Sequence, residues 1–133
     1  MPTDETAQAL QQAAEGLTYQ SETDAPWKAF AWPAAQGEPT GAAVRQQGRY
    51  KPNAPVAEQS VEEFFAPLTQ DQDWYGDEER ATATKYRTLF DAVKRFLKNP
   101  KVVRVGERKV VLYVVGTSSE GGWAGLKTTA VET

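Results

Sequence analysis

Residues 70–79, QDQDWYGDEE, set five carboxylates (Asp71, Asp73, Asp77, Glu78 and Glu79) around an adjacent Trp74–Tyr75 pair, with no cation until Arg80. Carboxylates at this density can hold a divalent cation, exchange protons with a substrate, or meet a cationic partner. Spacing tests the first option, since Asp71, Asp73, Gly76 and Asp77 fall at positions one, three, six and seven of an EF-hand loop. The pattern fails at position five, which is Tyr75, and at position twelve, which is Thr82 where a bidentate Glu is needed. No helix with an apolar face immediately precedes it either. Acid–base chemistry, as in glycoside hydrolysis, needs a carboxyl whose pKa is raised by burial. A DEE run opening a helix reads as solvated, and nothing in the sequence selects a catalytic pair.

A structural role accounts for part of the block. Asp77 can cap a helix, Glu78 and Glu79 can complement its dipole, and Trp74 or Tyr75 can act as a hydrophobic staple. Asp71, Gln72 and Asp73 precede that helix and need neither role. A Trp flanked by acids on a connection between helices has the character of an anchor for a basic partner. The aromatic supplies burial and the surrounding charge speeds association. Two other places pose the same choice. In YQSETDAPW (19–27), Glu22 and Asp24 occupy a turn-rich connection before a strand, and a solvated loop is the plain reading. The last residues, AVET, follow directly on a predicted strand, which holds Thr133 close to the sheet.

The remaining composition narrows the chemistry. The chain has 133 residues, the size of one domain, and its 40% hydrophobic content suits a packed core. It has no Cys and no His, which removes disulfides, thiol chemistry, Cys/His zinc sites and His-based triads. The net charge of −3 weighs against direct nucleic-acid binding. Charge is unevenly spread: Arg80 to Lys109 holds ten basic residues against Asp91 and Glu107, so an electrical polarity is expected. A polar, acidic N-terminus and the lack of any membrane-length apolar stretch predict a soluble, cytoplasmic protein with no membrane association.

The elements that must position these residues follow from periodicity. Ala7, Leu10 and Ala14 predict a helix over 4–15, with Thr3 as its cap. WKAFAWPA (27–34) predicts a strand stopped by Pro33. Residues 34–59, rich in Gly and Pro, read as a long loop with at most one short strand. Ser60 and Glu63 form a capping box for a short helix carrying Val61, Phe64, Phe65 and Leu68. Tyr86, Leu89, Phe90, Val93, Phe96 and Leu97 lie on one stripe of a long helix over 77–98, with Asn99–Pro100 as its stop. After it, KVVRV, KVVLYVV and AGLKTTAV predict a three-strand antiparallel meander, its helices on one or both faces.

Taken in order, DWYGDEE, LKNPKV with the following VRVGE, LYVVG, AGLKT and the terminal VET resemble the nuclease A inhibitor family from about residue 16 to 133. The resemblance implies a single-domain, three-layer α/β/α sandwich with a largely antiparallel sheet, similar to plant pathogenesis-related proteins. It implies a protein that is no enzyme, carries no cofactor, is monomeric when free, and forms a one-to-one complex with a sugar-nonspecific, Mg²⁺-dependent DNA/RNA endonuclease. The family's contact residues map onto Glu22 in QSET, onto Gln72, Asp73 and Trp74, and onto Thr133, whose oxygens would reach the partner's Mg²⁺. Asp24 joins Glu22 on the acidic connection. The sequence departs from the family pattern over 35–56, which adds Arg45, Arg49 and Lys51, and at Gly76. An alternative keeps the fold and places another basic protein on the same acidic face.

Overall fold

The computed structural model describes residues 5–20, 24–32, 35, 37–70, 73–118 and 122–131, with the side chains of Glu5, Gln20 and Asp24 outside that set. The described elements are helices α1 (Glu5–Ala14), α2 (Gly41–Gln47), α3 (Val61–Thr69) and α4 (Asp77–Phe96). The strands are β1 (Thr18–Gln20), β2 (Asp24–Pro26), β3 (Lys28–Trp32), β4 (Val56–Ser60), β5 (Leu97–Val105), β6 (Lys109–Ser118) and β7 (Trp123–Val131). β1 and β2 pair as a small antiparallel ribbon. The other five form an antiparallel sheet in the order β3-β7-β6-β5-β4.

The meander β5–β6–β7 forms because β-branched residues alternate along it, and a register shift of one would turn its apolar set outward. Val102, Leu112, Val114 and Leu126 face one way and join Leu10 of α1, Phe65 of α3, and Tyr86, Leu89 and Val93 of α4 in one buried cluster. Val103, Val105, Tyr113 and Val115 face the other way and are covered by Val44 of α2 and by Tyr50. Helices therefore lie on both faces, and the architecture is a three-layer α/β/α sandwich.

Two expectations are corrected. Residues 34–59 are more than a loop with one short strand, because besides that strand, β4, they contain helix α2. At seven residues α2 is too short to show an apolar stripe, and it is set by its cap, where Thr40 Oγ1 accepts the Ala43 N–H at 3.2 Å. β4 is an edge strand whose identity rests on pairing with β5. Asn99–Pro100 does not stop α4 either. The helix gives way at Leu97 to extended backbone (φ −113, ψ 139), and Asn99–Pro100 sits inside β5 at an irregularity between Lys98 and Lys101. There Asn99 adopts a left-handed φ of 49°, which asparagine tolerates better than most side chains. The predicted Thr3 cap lies outside the described residues.

The α3 expectation holds. Ser60 Oγ accepts the Glu63 N–H at 3.0 Å, and this ties the start of α3 to the end of β4.

Candidate functional site

The acidic connection between α3 and α4 is held at both ends. At its start, Arg87 Nε on α4 donates to the Thr69 carbonyl at 2.8 Å, fixing the last turn of α3 against α4. At its close, the Gly76 N–H donates to Glu79 Oε1 at 2.8 Å. This corrects the expected cap: Gly76 is the N-cap and Asp77 is the first helical residue. Glycine has no side chain to return a hydrogen bond, so Glu79 alone closes the turn, and Asp77, Glu78 and Glu79 sit in the first turn as the dipole favours. Residues 77–82 are helical, which leaves the second half of an EF-hand loop no room to form. Among the described residues, no group of three or more Asp or Glu side chains is arranged to hold a metal ion.

Trp74 is no staple. Its side chain is 75% exposed, the one large apolar side chain so exposed among the described residues. Tyr75 is half-buried and meets the indole edge to face, with ring centroids 4.7 Å apart. Asp73 beside it is exposed.

Asp24 belongs to the β1–β2 ribbon, where its backbone pairs with Gln20. The ribbon is fastened on three sides. Tyr86 on α4 donates its hydroxyl to the Thr18 carbonyl at 2.7 Å and accepts Trp27 Nε1–H at 3.2 Å. Tyr19 stacks on Phe64 of α3 with ring centroids at 5.7 Å. Thr128 Oγ1 on β7 lies 2.9 Å from the Pro26 carbonyl and 3.3 Å from that of Ala25. Burial raises the Tyr86 pKa, so the hydroxyl stays neutral and remains a donor.

These segments share one end of the molecule. α4 hands over to β5 at Leu97, opposite Ser118, so a 20-residue helix starts about 30 Å away, toward the end where Lys109 pairs with Val131. The β2 strand lies against that same end of β7 through Thr128. An open cleft of about 600 Å³ joins the segments, with Gly16, Leu17 and Thr18 on one wall, Trp74 and Tyr75 on another, and Glu78 and Tyr86 from α4. The fold thus brings Asp73, Trp74 and the backbone of Asp24 to one end, at which β7 also finishes. Glu22, Gln72 and Thr133 lie outside the described residues.

Sequence reasoning missed the ribbon and the cleft. Thr18–Tyr19, followed by Ser21, Thr23 and Asp24, is a strand-then-turn signal, but three-residue strands are too short for alternation to show. Tyr86 was legible as a core position, though its two hydrogen bonds across the fold were not.

No curated protein matches the sequence. A family model does: that of nuclease A inhibitor-like proteins matches residues 4–133. That match spans the acidic connection, the ribbon and β7 together, and the chain belongs to the nuclease A inhibitor-like protein family.

Proposed function

We propose that this chain is a protein inhibitor of a sugar-nonspecific, Mg²⁺-dependent DNA/RNA endonuclease, monomeric when free and bound one-to-one to the enzyme. Glu22, Asp24, Gln72, Asp73, Trp74 and Thr133 face the nuclease active site in this reading. The observation that carries it is Trp74: a large apolar side chain left 75% exposed inside an acidic connection at one end of the sheet. Exposed aromatics of this kind gain free energy only when a partner buries them.

A nuclease cleft is basic because it must hold polyphosphate, so an acidic end with an aromatic anchor can occupy it in place of substrate. Glu22 and Asp73 would meet cations there. Mg²⁺ takes hard oxygen ligands, and the Thr133 hydroxyl and α-carboxylate supply such oxygens where a substrate phosphate would otherwise sit. The chain performs no catalysis in this reading and binds no nucleic acid itself.

Thr133 gives the sharpest test. One residue added after Thr133, or its deletion, should weaken inhibition of a Mg²⁺-dependent nonspecific nuclease without changing the thermal midpoint. Equal inhibition by the extended chain would remove Thr133 from the contact. Should the unaltered chain inhibit no such nuclease and co-purify with a different basic protein, the acidic end serves that partner instead.

A further inference from the structure

We propose, resting on the inhibitor reading above, that the cleft beside Trp74 receives an arginine side chain of the nuclease, its guanidinium held between the indole and Glu78. The cleft is walled on one side by the α1–β1 corner, Gly16 to Thr18, and on the other by the first half of α4. Its lining is mixed, with Leu17, Pro67, Leu68 and Ala83 beside polar and charged side chains. Leu17 and Tyr86 are buried there, and the Tyr86 hydroxyl is already bonded to Thr18 and Trp27.

The α4 wall is graded in charge. Glu78, Thr82 and Lys85 recur at spacings of four and three, which places them on one helical stripe along the cleft. Glu78 and Glu79 stand at the Trp74 end. Lys85 stands at the inner end, its Nζ 3.3 Å from where a Cβ on Gly16 would lie. Thr82 separates the two. An anion approaching from the Trp74 side meets carboxylates first, while a cation on an apolar stem finds an aromatic face, a carboxylate and, beside them, the apolar side chains of Leu17 and Leu68.

Arginine fits this better than lysine. Its planar guanidinium can stack on an indole and pair with a carboxylate at once, whereas an ammonium is more strongly hydrated and makes no fork. The source is the nuclease because Trp74 belongs both to the cleft and to the proposed contact face, and because a basic enzyme surface complements the acids at this mouth.

Two substitutions test the proposal on the intact chain, by titration against a nonspecific nuclease that the unaltered chain inhibits. Thr82→Phe fills the middle of the cleft from an exposed helix position, and Glu78→Lys reverses the charge at its mouth. Each should raise the inhibition constant about tenfold or more, the size of one displaced charge-assisted contact. Thr88→Phe, exposed on the same helix and away from the cleft, should leave it unchanged. Thermal midpoints show whether each variant is folded, and Glu78→Lys keeps the test open if Thr82→Phe does not fold. Undiminished inhibition by a folded variant overturns the arginine cleft and leaves the inhibitor reading standing. No inhibition of any such nuclease by the unaltered chain overturns both.

Discussion

Two aromatic residues near the acidic end divide the work of binding and folding between them. Trp74 is exposed and touches little besides Tyr75, so it contributes little to folding. Trp74→Ala should leave the thermal midpoint nearly unchanged, as exposed substitutions away from special features usually do. It should weaken inhibition about 30-fold, corresponding to a hot-spot loss of about 2 kcal/mol. A large drop in midpoint with intact inhibition would reverse that division. Tyr86 is the opposite case, buried and bonded to both Thr18 and Trp27. Tyr86→Phe keeps the ring but leaves the Trp27 indole N–H and the Thr18 carbonyl without their partner, at a cost of about 1–3 kcal/mol. Urea unfolding measures this, and an unchanged midpoint would show that neither group depends on the hydroxyl.

At the scale of elements, one carboxylate ties α2 to β4 and β5. Glu58 Oε2 accepts the Gly41 N–H at 2.7 Å at the start of α2, and its other oxygen lies 3.3 Å from Lys101 Nζ on β5. Lys101 also lies 3.4 Å from Glu38. The Gly41 N–H, and after it Lys101, hold the Glu58 carboxyl below its ordinary value of 4.5 against the opposing effect of burial. A depressed carboxyl pKa means stability that is present above 4.5 and lost as pH falls through the lower folded-state value. Glu58→Gln should therefore be less stable than the unaltered chain at neutral pH, with the gap closing as pH drops below 4.5. A gap of constant size across that range would mean the carboxylate's charge is irrelevant to α2.

The same elements show what a sequence can and cannot disclose. α4 and the β5–β6–β7 meander were legible because each is long enough for its period to repeat, and Ser60 and Glu63 announced α3 by a local hydrogen-bond pattern. α2 and the β1–β2 ribbon were not, and β4 was legible only as one short strand without a place within 34–59. They are three to seven residues long, and they exist because β5, β7 and α4 offer them partners. The helix expected to end at Asn99–Pro100 ended earlier because pairing of Leu97 with Ser118 outweighed local signals. At the candidate site, residue types named the acidic connection. The open cleft beside it depends on contacts distant in sequence.

Across the molecule, α4 aligns charge with the fold. α4 carries Asp77, Glu78 and Glu79 in its first turn and Lys94 and Arg95 in its last, about 25 Å apart. Lys98 follows on β5. The acidic connection thus stands at the carboxylate-bearing end of a polarised helix, an arrangement that favours one orientation of a basic partner. Association with a nuclease should slow as salt is raised while dissociation changes less, and surface-capture kinetics at two ionic strengths would show it. Equal salt sensitivity of both rates would speak against steering. The central claim is tested most directly by titrating a fixed amount of a sugar-nonspecific, Mg²⁺-dependent endonuclease with the unaltered chain and following DNA cleavage. Inhibition by the nuclease-facing end predicts activity falling linearly to zero at one equivalent; full activity at a large excess of the protein against every such nuclease would contradict it.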